Sequence, residues 1–238
     1  MKKIIQQFKI TFYFFAFSVG LIITFIFIDM KFFSNQVQKT AMANAIEKIK
    51  EKESKLSNYF KTSENILYSI NESKYFNNYL KKDFGTKKEI TEFFLTITEI
   101  NKNIMQFRYI DSKGYEKIRI DRRSLNSDSI IIPDTMLQNK SNRYYFKNVA
   151  KMKKNDVWFS KIDLNVEHGH IEVPNKSVVR VATPMIIDGK FRGILIINIF
   201  MQELLDSITS SALYDIYLAD VDGYYLKHKE EKYNWSFY

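Results

Sequence analysis

Arg143 stands in a polar loop directly before three aromatic residues, Tyr144, Tyr145 and Phe146. An arginine offers a planar fork of donors that grips a carboxylate through two hydrogen bonds at once. Aromatic walls around such a contact exclude water and strengthen it. The same arginine serves equally well in a surface salt bridge, and each aromatic taken singly is better explained as core packing. Arg119, Arg122 and Arg180 are weaker candidates, because charged residues on half-exposed strands usually face solvent.

Catalytic chemistry finds little support. His168-Gly-His170 brings two imidazoles together, but no cysteine, third neighbouring histidine or H-E-x-x-H joins them, so a polar turn is the better reading. His228 lies in a charged run. Asp163 with Glu167, and Asp220 with Asp222, are acids of the kind that turns routinely carry. G-x-S-x-G, the P-loop and the dinucleotide fingerprint are all missing. The chain therefore reads as a non-enzyme, with no catalytic residue, metal site or cofactor.

The element that positions everything else is Ile10 to Ile28, nineteen residues without a charge. At about 1.5 Å per residue a helix of that length spans a bilayer's hydrocarbon core. Thr11, Ser18 and Thr24 can return their hydroxyls to their own helix. Lys2, Lys3 and Lys9 precede the run without an acid, and Asp29 follows it. That lysine bias places the N-terminus in the cytoplasm and the bulk of the chain across the membrane. A cleaved signal peptide is the rival reading. Large residues at Phe25, Phe27, Met30, Phe32 and Phe33 stand against it, since small ones belong at a cleavage site.

Of 36 basic residues three precede the span, so 33 basic and 27 acidic residues follow it. They are scattered, which argues against a nucleic-acid partner. Cysteine is absent, so no disulfide assists folding. A hydrophobic content of 45% suits a packed core instead.

Residues 35–71 contain no Gly or Pro, and apolar positions from Val37 to Ile70 recur with a helical period. Such a helix is expected to find a partner along its apolar stripe, either the following domain or a second copy in a homodimer. Thr86 with Glu89 is a capping-box signature, and Ile90, Phe93, Phe94, Ile97, Ile100 and Ile104 mark the face behind it. From Met105 the period changes to two. Phe107–Ile110 and Tyr115–Ile120 flank an Asp111-Ser-Lys-Gly114 turn, and Tyr217–Ala219 and Tyr224–Lys227 flank Asp220-Val-Asp-Gly223. D-x-x-G-Y thus occurs twice. Leu137–Ala150 reads as a loop and short helix, Val157–Ser160 as a strand, and Val166–Pro174 as a polar excursion turning at Gly169. Two strands, Ser177–Ile187 and Phe191–Phe200, are joined by Asp188-Gly189, a two-residue hairpin signal. Met201–Ile208 is short and amphipathic. Long helices followed by an antiparallel meander make an α+β fold.

This order resembles the double Cache family, the tandem PAS-like extracytoplasmic sensors of bacterial histidine kinases, diguanylate cyclases and chemoreceptors. The residues that carry the likeness are Tyr109-Ile-Asp-x-x-Gly114, the 137–146 run LQNKSNRYYF, Trp158-Phe-Ser-Lys-Ile-Asp-Leu164, Val179-Arg-Val-Ala-Thr-Pro184 and Gly193-Ile-Leu-Ile-Ile-Asn198. The resemblance implies a cytoplasmic N-terminus (1–9), a transmembrane helix (10–30), a long helix and helical region (35–104), a membrane-distal PAS-like module (105–208) and the beginning of a membrane-proximal one (209–238), where the chain stops short. It implies a small ligand in the distal module, relayed along the long helix to a kinase, cyclase or chemoreceptor output. Amino-acid-binding members use R-x-W-Y, then an aromatic and an acid on the next strand, then a late Asp. Arg143 matches the arginine, and Tyr145 and Phe146 stand for the Trp and Tyr. Trp158 or Phe159 supplies the next aromatic, and Asn198 takes the place of the Asp. The implied ligand-binding set is Arg143, Tyr145, Phe146, Trp158, Ser160, Arg180 and Asn198. Asn198 weakens the expectation of an amine ligand, because a neutral amide loses the charge-assisted attraction, whereas a carboxylate held by Arg143 remains open. The competing reading is an anchored periplasmic scaffold whose pocket is plugged by side chains.

Overall fold

The computed structural model describes residues 2–82, 85–167 and 170–236. The turn assigned to Gly169, and His168 of the histidine pair, lie outside the described residues. The chain divides into two compact units, residues 1–54 and 55–238.

The first unit consists of most of helix α1 (Lys2–Asn71), which has no break at the expected border near residue 30. This segment is long and apolar enough to cross a membrane. Its large side chains, Phe12, Phe14, Phe25 and Phe27 among them, are exposed as a lipid-facing helix requires. Ser18 and Thr24 donate their hydroxyls to the carbonyls of Phe14 and Gly20 at 2.9 and 2.8 Å, so neither leaves a polar group unpaired.

In the second unit the end of α1 buries Leu67 and Ile70. Helix α2 (Lys74–Lys81), which the sequence reading passes over, is capped by the Ser73 hydroxyl and buries Phe76. Helix α3 (Lys87–Ile100) begins with the expected capping box between Thr86 and Glu89. The expected face is corrected at its end: Ile100 is 74% exposed, and Ile104, buried as expected, opens the first strand.

The strands are β1 (Ile104–Asp111), β2 (Glu116–Arg122), β3 (Ser129–Ile131), β4 (Trp158–Phe159), β5 (Asp163–Leu164), β6 (Val166–Glu167), β7 (His170–Ile171), β8 (Ser177–Ile187) and β9 (Lys190–Phe200). Helix α4 (Tyr144–Val149) lies between β3 and β4 in the chain, and α5 (Gln202–Thr209) follows β9. The last hairpin, β10 (Leu218–Ala219) with β11 (Tyr225–Lys227), forms its own small sheet. A plain meander is not what forms. The main sheet runs β3-β2-β1-β9-β8-β4, with β5 also on β8, so two hairpins meet at a central β1–β9 pairing.

Alternation along these strands sorts their side chains by face. Phe107, Tyr109, Val179, Val181, Leu195 and Ile197 join the core shared with α2 and α3. On that side the Phe94 and Phe107 rings stack at 4.0 Å. Ile110, Ala182, Ile194 and Ile196 point the other way, onto Tyr145, Phe146 and Val149 of α4. That second face also receives Gln106, Arg108, Arg180 and Asn198.

Candidate functional site

Strand register brings the polar residues of the second face into one row. Arg180 is paired with Asn198 across β8 and β9, and Asn198 with Gln106 across β9 and β1. Arg108 lies two residues along β1 from Gln106, on the same face. All four are buried, at 2–3% exposure. Burying charged and amide groups is unfavourable unless they are paired, and most of this row is. Arg108 donates from Nη2 to Asn198 Oδ1 at 2.8 Å, and Asn198 Nδ2 donates to Gln106 Oε1 at 2.9 Å.

The row floors a cavity of about 170 Å³ walled by the 138–145 loop and the start of α4. Glu116, whose side chain is fully buried, holds that loop by accepting from Gln138 N at 3.0 Å. Its carboxylate also lies 3.5 Å from Arg108 Nη1 and 3.8 Å from Arg119 Nη1. Arg143 precedes α4 in extended conformation, and its side chain makes no capping hydrogen bond. The Arg143 and Arg108 guanidiniums share the Tyr145 ring, at 5.8 and 5.7 Å from its centroid. Arg180 Nη1 is buried beside the cavity with no hydrogen-bond partner. Lys140 adds a fourth cation to the lining.

Of the seven residues expected at the ligand, the structure gathers Arg143, Tyr145, Arg180 and Asn198 around this cavity. The other three stand apart from it. Phe146 packs among Ile110, Ile194 and Ile196. Trp158 meets Tyr144 edge-on at 5.8 Å. Ser160 brackets the Arg180 backbone, accepting from Arg180 N and donating to Arg180 O, both at 2.9 Å, while its side faces a separate groove beside Phe60. Phe159 lines that groove too. The expectation that strand arginines face solvent is overturned, since Arg108, Arg119, Arg122 and Arg180 are all at 7% exposure or less. Arg122 spends its charge structurally, donating to the carbonyls of Thr98 and Ser127 at 2.7 and 2.6 Å. The sequence reading missed Arg108 and Gln106. The signal was present as polar residues alternating with Phe107 and Tyr109. No group of three or more His, Asp or Glu among the described residues is placed to hold a metal.

Solved structures that share the fold are distant in sequence in each of the following cases. The extracellular domain of vpHK1S-Z8, assigned as a histidine kinase, superposes with a TM-score of 0.69 at 20% identity, over 84% of this chain and 70% of that one. A domain of a sensory box/GGDEF family protein from Vibrio parahaemolyticus gives the same score and identity, over 84% and 74%. The ligand-binding domain of the Campylobacter jejuni chemoreceptor Tlp3, in complex with L-norvaline, gives 0.61 at 13% identity, over 82% and 71%. No curated protein matches the sequence. The resemblance to double Cache sensors thus holds at the level of fold. Residues 38–238 match the family described as "Bacterial histidine kinase, sensor domain", and the chain belongs to that family of bacterial sensor domains.

Proposed function

We propose that this chain is the extracytoplasmic input domain of a membrane-bound receptor, and that it binds a small ligand in the cavity between the β1–β9–β8 row and the 138–145 loop. The observation that carries the proposal is Arg180, a 97%-buried cation whose Nη1 has no partner and borders open volume. A scaffold with a plugged pocket is less favoured, because the space beside Arg143 and Asn198 is open. Chemoreceptor relatives crystallised with L-norvaline and L-valine support a small carboxylate-bearing ligand.

In this reading residues 10–28 anchor the chain in the inner membrane with the N-terminus inside. Residues 105–208 form the distal ligand-binding module, and 209–238 begin a proximal one. Arg143, Tyr145, Arg180 and Asn198 contact the ligand. A ligand shifts an equilibrium only by its affinity difference between two states. The path to α1 starts two residues beyond Asn198, where the Phe200 carbonyl accepts from the Tyr59 hydroxyl at 2.6 Å. Burial raises the pKa of that hydroxyl well above its ordinary value, so it stays a donor at any physiological pH. A homodimer through α1 would carry the signal onward.

The test is calorimetry of the full chain in lipid nanodiscs against carboxylates and amino acids, with wild type and Arg143→Ala. Saturable binding that weakens about tenfold or more in the variant is expected. Binding that ignores the substitution would overturn the site.

A further inference from the structure

We infer that the ligand of this cavity is a small dianion without an ammonium group. This rests on the cavity being the ligand site, and it sets the chemical class that the site admits.

The argument is an inventory of donors and acceptors. Arg108, Arg143, Arg180 and Lys140 line the cavity, and no Asp or Glu lines it among the described residues. Two acids lie behind the lining: Glu116 faces Arg108 and Arg119 and accepts from Gln138 N, and Glu172 accepts from Asn165 Nδ2 and pairs with Lys176. A ligand ammonium needs acceptors, and four of the five amide side chains that line the cavity have their oxygens engaged, while the fifth, Asn165, donates from Nδ2 to Glu172 at 3.0 Å. Asn198 Oδ1 accepts from Arg108 at 2.8 Å, and Gln106 Oε1 accepts from Asn198 at 2.9 Å. Gln138 Oε1 accepts from Lys140 at 2.7 Å, and Asn139 Oδ1 from Ser141 N at 2.8 Å. Each amide oxygen keeps a second lone pair, but an ammonium reaching for it would enter a field set by four cations. The donors point the opposite way. Arg180 Nη1 and Arg108 Nε are buried without hydrogen-bond partners.

A buried cation without a counter-charge is unfavourable, so the cavity favours an anion. One carboxylate answers one guanidinium fork. Arg143 and Arg180 reach the cavity from different elements, α4's leading residue and β8, so two anionic groups would answer one fork each. The volume of about 170 Å³ has room for about half a dozen water-sized groups, which limits the ligand to the size of malonate or succinate.

The experiment compares succinate with butyrate, which removes one charge, and with β-alanine, which exchanges a carboxylate for an ammonium. Titrations use the full chain in nanodiscs, with Arg143→Ala, Arg180→Gln and the near-isosteric Asn198→Asp. Succinate is expected to bind at least about tenfold more tightly than butyrate or β-alanine. Arg180→Gln should bring succinate down to the butyrate level. Asn198→Asp should weaken succinate and strengthen β-alanine, and it keeps the inference testable should Arg180→Gln misfold. If β-alanine or L-valine matches succinate and loses affinity in Arg143→Ala, the dianion class fails while the site stands. If neither substitution at Arg143 nor at Arg180 changes any affinity, the site fails with it. Absence of saturable succinate and malonate binding also overturns the dianion class.

Discussion

Arg108 on β1 and Asn198 on β9, 90 residues apart in the chain, meet through an Nη2-to-Oδ1 hydrogen bond of 2.8 Å in the buried floor of the cavity. Asn198 in turn donates to Gln106, so one amide satisfies two neighbours. Asn198→Ala should therefore destabilise the sensor unit by about 1–3 kcal/mol, the range for stranding buried polar groups. Thermal melts of wild type and variant measure this, and each kcal/mol lowers Tm by about 2–4 °C in a domain of this size. An unchanged Tm would mean that the row is not held as described.

Two glycines of the β8–β9 hairpin should respond very differently to alanine. Asp188 and Gly189 both have positive φ, 50° and 71°, as the two-residue turn requires. A Cβ on Gly189 meets nothing within 4 Å, so Gly189→Ala should cost only about 1 kcal/mol. Gly193 has φ +134°, and a Cβ there would lie 2.1 Å from the Ile110 carbonyl oxygen of the adjacent strand. Gly193→Ala forces β1 and β9 apart at the Asp111 end of their pairing and should cost about 3 kcal/mol or more. Chemical unfolding of both variants checks the contrast, and equal losses would contradict it.

The repeated D-x-x-G-Y element folds the same way twice. Asp111 Oδ1 accepts from Lys113 N and Tyr115 N at 2.9 and 3.0 Å, and Asp220 Oδ1 accepts from Asp222 N and Tyr224 N at 2.9 and 3.0 Å. Their surroundings differ. The first turn closes a hairpin of the main sheet, the second a two-stranded sheet of its own. Asp111→Ala should lower global stability by about 1–2 kcal/mol. Asp220→Ala should leave the global transition in place and release amide protection at Asp222 and Tyr224 alone. Hydrogen exchange separates the two, and a global loss in Asp220→Ala would contradict the local character of that hairpin.

Glu99 should shape the acid limb of the stability curve. Hydrogen bonds from Lys102, and from Ser129 whose backbone N donates at 2.6 Å, with Arg122 nearby, push its carboxyl down to about 2 from an ordinary 4.5. The unfolded chain therefore takes up a proton first as pH falls. The stabilisation is complete above about pH 4.5 and is lost on the way to about pH 2. Glu99 keeps 35% side-chain exposure, so solvent screening trims its size. Melts of wild type and Glu99→Gln should differ most above pH 4.5 and converge near pH 2. A difference that stays constant across that window would contradict the assignment.

Residue order along the chain was enough for whatever depends on near neighbours. An uncharged run from Ile10 to Ile28 makes a helix long and apolar enough to cross a membrane, Thr86 and Glu89 cap a helix three residues apart, and Asp188-Gly189 supplies the two positive φ values of a tight hairpin. Arg143 with its adjacent aromatics was visible for the same reason. Helix α2 escaped notice because its lone buried anchor, Phe76, is surrounded by polar and half-exposed residues. Only tertiary structure decided the strand order, and with it the site. The central β1–β9 pairing places Gln106 and Arg108 beside Asn198 and Arg180, residues that nothing local connects. It also decided which strand arginines are buried: Arg108 meets Asn198 from β9, and Arg122 the Thr98 and Ser127 carbonyls, partners that only the fold brings together.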